Sequence, residues 1–271
     1  LAFGLAGCAL TQNSAKTSRR GHRDQPPVIG AWFWSQEDLK PDGFRPFLDA
    51  AEAHSPYTLL STACRSVEVV EPQQHDHVDK AVRYANSRGL KIALELDIRL
   101  ARQAFRAKYP DEQQEELVLK LAEFPKDGPA EVVFQGNDTT DHMNGSLPKY
   151  ECLTTRLVRV YSFVRSPEGI DPATVKDVTG EGVVATAEGP RKLTVRVPVQ
   201  PGRGVCVIAS HTCLTPDIFA PHFLDYQRAI IRQYADVPLA GIMKDEWGFP
   251  PDHTGNPAHD RYWYSQPMAE V

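Results

Sequence analysis

The chain has 271 residues, of which 41% are hydrophobic and 24% charged, with a net charge of −5, a balance ordinary for a soluble globular protein. No basic excess is present to neutralise phosphates, which argues against nucleic acid as the main partner. No run reaches the roughly 18 apolar residues of a membrane-spanning helix.

The first residues, Leu1 to Gly7, form an apolar run ending in small residues before Cys8, as at the end of a secretory signal. Leu5-Ala6-Gly7-Cys8 resembles the bacterial lipobox. That resemblance implies a lipid on Cys8, loss of what precedes it, and an exported protein anchored to the cell envelope. The plainer alternative is a buried N-terminal element with an ordinary cysteine. Residues 9–25 are polar and patternless and read as a tether.

Order is expected from Val28-Ile29-Gly30-Ala31-Trp32-Phe33-Trp34, an apolar run of strand length after Pro26-Pro27. A helix over Gly43 to His54, a strand over Tyr57 to Ser61, a helix over His75 to Arg88 and a strand over Lys91 to Leu96 follow. Short apolar strands alternating with helices predict a parallel sheet in an α/β fold. Leu100 to Tyr109 and Asp111 to Phe124 read as further helix.

The period then changes. Glu131–Phe134, Thr154–Val164, Gly182–Ala187, Lys192–Val199 and Gly204–Ala209 read as strands separated by turn-rich pieces. Helix returns over Ile218 to Tyr234, and Leu239 to Lys244 is a last short strand. Four barrel-type strands are half of an eight-stranded barrel, which takes about 250 residues without insertions. The expected fold is therefore α/β, a partial (β/α)8 (TIM) barrel with an inserted antiparallel β module. Its divisions are 1–25 for signal remnant, lipobox and tether, 26–126 for the first part of the barrel, 127–207 for the inserted module, and 208–271 for the barrel's continuation. Cys64, Cys152, Cys206 and Cys213 fit no zinc spacing. Buried or unpaired thiols are the expectation for them, with a Cys206–Cys213 pair as the alternative should two strands turn back between those residues.

A barrel places its chemistry at the carboxyl ends of its strands. Those ends present Trp32 and Trp34; Ser61, Thr62 and Arg65; Asp97 and Arg99; and Asp245, Glu246 and Trp247. The adjacent carboxylates Asp245 and Glu246 follow an apolar strand beside Trp247 and Phe249. Such a setting raises one carboxyl's pKa, as a general acid requires. Glycoside cleavage needs a protonated carboxyl at the leaving oxygen, and flat aromatics suit sugar rings. Glu246 is thus the candidate acid, with Asp245 orienting it, and Trp32, Trp34 and Trp247 as stacking surfaces. The alternative is that Asp245 caps the next helix and Glu246 pairs with a cation.

Asp97 and Arg99 suit either substrate binding or a structural ion pair, and Arg65 either substrate binding or a surface pair with Glu68. His75-Asp76-His77 opens a helix, where His75 and His77 point different ways, so it reads as helix-start polarity rather than a metal site. His211 is left undecided. No Gly-rich phosphate loop or GxSxG elbow is present, and neither metal nor cofactor is expected.

The aromatic first strand, the β interruption and Gly241-Ile242-Met243-Lys244-Asp245-Glu246 after the helix of Pro216 to Tyr234 resemble clan-A-type glycoside hydrolases and alpha-L-rhamnosidase-like barrels. The resemblance covers roughly residues 28–110 and 205–255. It implies a glycosidase with Glu246 as acid/base and a partner carboxylate from a later strand. Many such hydrolases carry Asn where this chain has Asp245. The rival expectations are a carbohydrate-binding lipoprotein without catalysis, and another, metal-dependent barrel hydrolase.

Overall fold

A computed structural model of the chain describes residues 26–126, 128–136, 151–244 and 261–270. The chain opens β1 (Ile29–Phe33), α1 (Arg45–His54), β2 (Leu59–Ala63), α2 (Pro72–Ser87) and β3 (Lys91–Glu95). A 3-10 turn over Ile98–Ala101 then runs into α3 (Arg102–Lys108). Next come β4 (Gln113–Glu123), β5 (Ala130–Gln135), β6 (Cys152–Phe163), the two-residue strands β7 (Arg165–Ser166), β8 (Gly169–Ile170) and β9 (Lys176–Asp177), then β10 (Val184–Ala187), β11 (Lys192–Val197) and β12 (Gly204–Pro216). The described part closes with α4 (Phe223–Gln233), β13 (Gly241–Met243), β14 (Arg261–Tyr264) and α5 (Gln266–Ala269).

The protein is mixed α/β. Four strands pair in the order β1-β2-β3-β13, every pair parallel. Strand alternation sends Trp32, Leu60, Ile92 and Leu94 into one core with Leu48, Val78, Val82, Ile230 and Tyr234 from α1, α2, α4 and its C-cap. The opposite parity on β1 behaves differently: Ile29 and Phe33 are 59% and 66% exposed. Helices thus cover one face of this sheet, while the other stays open at β1 among the described residues.

The antiparallel part holds a five-stranded sheet, β14-β4-β12-β6-β9, and a three-stranded sheet, β10-β11-β5. Val118, Val160, Val205, Val207 and Ala209 from the first share a second core with Ala130, Val132, Phe134, Leu193, Val195 and Val197 from the second. This is the face-to-face arrangement that buries one side of each sheet.

One expectation is corrected. Asp111 to Phe124 does not continue as helix, because most of it is β4. Glu, Leu and Lys favour helices in isolation, but β4 lies between β14 and β12, with Val118 opposite Ala209. Tertiary pairing overrides local propensity there. Cys206 and Cys213 cannot pair with each other, since both lie on β12, with no turn between them. All four described cysteines are thiols.

Candidate functional site at the carboxyl ends of the parallel strands

Because the four strands are parallel, their carboxyl ends share one edge. Glu95 is the last residue of β3 and Asp97 caps the turn that follows, its Oδ1 accepting from the Arg99 backbone N–H at 2.8 Å. Both carboxylates are buried, at 2% and 0% exposure. A buried charge persists only when paired and hydrogen-bonded, and each of these is. The Arg65 guanidinium, just past β2, donates to Glu95 Oε2 from Nε at 3.2 Å and from its terminal nitrogen at 3.1 Å. Arg99 binds Asp97 Oδ2 through Nε and a terminal nitrogen, both at 2.9 Å, and reaches within 3.8 Å of Glu95 Oε1. Lys244, just past β13, places Nζ 3.4 Å from Asp97 Oδ2.

Three strand ends therefore converge on one charged cluster of Arg65, Glu95, Asp97, Arg99 and Lys244. The loop carrying Asp97 is held from α4, where Gln227 donates to the Leu96 carbonyl at 2.9 Å and accepts from the Ile98 N–H at 2.8 Å. Burial pushes the Lys244 amine down to about 8, and the Arg99 charge adds to the effect, while Asp97 and Glu95 oppose it. Arg65 also lies over the Phe33 ring, 5.3 Å from its centroid. Phe33 is thus an exposed aromatic at the cluster's border.

Asp97 and Arg99 form the ion pair that the sequence allowed. For Arg65 the structure corrects the partner, which is Glu95. Glu68 is instead buried and accepts from the Gln103 and Ala104 N–H groups at 2.6 and 3.0 Å, at the start of α3; burial pushes its carboxyl up. Trp32 and Trp34 are also corrected as stacking surfaces. They sit at 3% and 7% exposure, stacked on each other at 4.4 Å, with Phe47 5.0 Å from Trp32. Trp34 Nε1 donates to Thr62 Oγ1, which itself donates to the Trp32 carbonyl. The two residues share a strand parity that points at the helices, whereas Phe33 has the other parity. That alternation was readable, and it marks Phe33 as the aromatic that sequence reasoning missed. Glu95 and Lys244 were missed too: Glu95 ends a strand with no motif about it, and Lys244 was read only as the residue before the Asp245-Glu246 pair.

His75 pairs with Asp236 at 2.9 Å, while His77 Nε2 meets the Asp38 carbonyl at 2.7 Å, so the two rings serve separate contacts. His211 is buried in β12, its Nδ1 2.8 Å from Thr155 Oγ1. No group of three His, Cys, Asp or Glu among the described residues is arranged to hold a metal ion. Cys8, Asp245, Glu246 and Trp247 lie outside the described residues.

No protein-family model matches the sequence, and no curated protein matches it. Among solved structures, a rhamnosidase from Novosphingobium sp. PP1Y is similar over 79% of this chain, at 10% identity and a TM-score of 0.33. The chain spans 37% of that rhamnosidase chain, and a likeness at this score carries no argument about fold or activity.

Proposed function

We propose that this chain carries the strand-end site of a (β/α) barrel that cleaves glycosidic bonds in an oligo- or polysaccharide. One observation carries the reading: three parallel strands deliver Arg65, Glu95, Asp97, Arg99 and Lys244 to one edge, and the next residues in the chain are Asp245, Glu246 and Trp247. Ligands of parallel α/β folds bind at that edge. Two features favour a barrel arc over a doubly wound sheet. The strands pair in chain order, and the helices lie on one face. A doubly wound sheet reverses its order and covers both faces.

The roles follow from the contacts. The oxygens of Glu95 and Asp97 are engaged by guanidinium and amine donors, which suits them to fixing cations rather than transferring a proton. Arg65, Arg99 and Lys244 carry donors that fit sugar hydroxyls. Phe33 takes the stacking role first given to Trp32 and Trp34, with Trp247 as its companion. Proton donation to the leaving oxygen falls to Glu246, with Asp245 orienting it. Export and a lipid anchor on Cys8 belong to the same proposal, and place the site where extracellular polysaccharide is met.

The test is kcat/KM on aryl glycosides with good and poor leaving groups. Glu246→Gln should lower it about a hundred- to ten-thousand-fold on the poor leaving group, the range a general acid contributes, and least on the good one. A loss within a few-fold on the poor leaving group sinks Glu246 as the acid. Sugar binding by the wild-type chain without turnover at any pH would favour a binding lipoprotein instead.

A further inference from the structure

We propose that Cys152 and Cys213 are a disulfide-forming pair that staples the start of β6 to the end of β12. The two strands are antiparallel neighbours, and in their register Cys213 stands directly opposite Cys152. Directly opposed residues in such a pair have Cα atoms about 4.5–5.5 Å apart, inside the window of roughly 4.4–6.8 Å that a disulfide spans.

The facing is right as well as the spacing. His211 and Thr155 are opposed, and their side chains meet at 2.8 Å, so both point to one side of the sheet. Cys213, two residues beyond His211, keeps that side by alternation. Cys152 is three residues before Thr155 and would point the other way in a regular strand. The register shifts between Thr212 and Cys213, however, which turns Cys152 back. Its Sγ accordingly lies 3.6 Å from Thr155 Oγ1. Gly136 closes the space above it, since a Cβ there would overlap Cys152 Sγ. Both cysteines are buried, at 2% and 3% exposure. The other described thiols are poor rivals. Cys206 is seven residues back along β12, about 23 Å at the usual rise per residue, and Cys64 belongs to the core of the parallel sheet.

The chemistry is thiol–disulfide exchange with a small disulfide such as oxidised glutathione. One cysteine thiolate attacks that disulfide and releases a glutathione thiolate. The second cysteine, having lost its proton, attacks the mixed disulfide and releases the other. The protein gives up two protons and two electrons, and one glutathione disulfide becomes two thiols. Burial pushes the Cys152 thiol up, so its thiolate is scarce once the sheets have closed. The exchange therefore belongs to folding.

The experiment unfolds and reduces the full chain, then refolds it in a mixture of reduced and oxidised glutathione. Remaining thiols are alkylated without reduction, and the digest is mapped by mass. The expected result is one linked peptide pair joining Cys152 to Cys213, lighter than its parts by two hydrogens. Cys206→Ser should leave that link intact, and Cys213→Ser should leave Cys152 open to alkylation. Native refolding with both residues alkylated, or a link from either to Cys64 or Cys206, overturns the proposal. The wild-type map decides even if a serine variant fails to fold.

Discussion

Lys244 shows how much of the site a single contact controls. Its amine is held near 8 by burial, below the ordinary 10.5, so the folded state disfavours the charged form. Between those two values the unfolded chain binds more protons than the folded one. Stability from this residue therefore rises as pH climbs from about 8 to 10.5. Lys244→Met should remove that rise. Urea midpoints of both proteins, measured below pH 8 and above pH 10.5, test it, and equal changes with pH in the two would show that Lys244 titrates as an ordinary lysine. The residues of this cluster were unequally legible. Asp97 and Arg99 announced themselves as charges just past an apolar strand. Glu95 looked like the polar end of its strand, because nothing local shows that Arg65, thirty residues earlier, will lie beside it.

At the scale of elements, legibility tracked how local the deciding forces are. β5 and β11 alternate, and with β6 and β10 they are bounded by turn residues and form where the pattern places them. α2 begins at Pro72, ahead of His75, because proline suits the first helical turn. α4 begins only at Phe223, since Pro221 restrains the residue before it from helical geometry. β4 was not legible, as its strand state depends on partners far away in sequence. Gln227 is the same lesson in a side chain: it sits at an unremarkable helical position, yet holds both sides of the loop carrying Asp97. Gln227→Ala leaves the Ile98 N–H and the Leu96 carbonyl without that partner. The expected cost is about 1–3 kcal/mol, together with faster hydrogen exchange at the Ile98 amide. Unchanged exchange at Ile98 would mean that the loop holds its shape without the clamp.

The molecule as a whole contains two cores, one under the parallel sheet and one between the antiparallel sheets. The chain enters the second through Tyr109 to Gln113 and first leaves it through Pro216 to His222, before β14 rejoins its five-stranded sheet, and these two passages clasp one another. The Asp217 N–H donates to the Glu112 carbonyl at 3.0 Å, His222 pairs with the Glu112 carboxylate, and the Tyr109 and His222 rings stack at 4.3 Å. Beyond the clasp, β12 also packs against α3. A lesion in either core therefore strains a neck that both cores need, and the two should unfold together. Leu60→Ala in the first core and Phe134→Ala in the second remove fully buried side chains, with expected costs of about 2–5 and 3–5 kcal/mol. Each should lower one shared melting temperature, followed in parallel by near-ultraviolet circular dichroism and by calorimetry. Two separated transitions, with each variant moving only one, would show that the clasp does not couple the cores. The strand-end site would then keep its geometry after the antiparallel part has melted, and Phe134→Ala would leave hydrogen exchange at the Ile98 amide unaffected at temperatures between the two transitions.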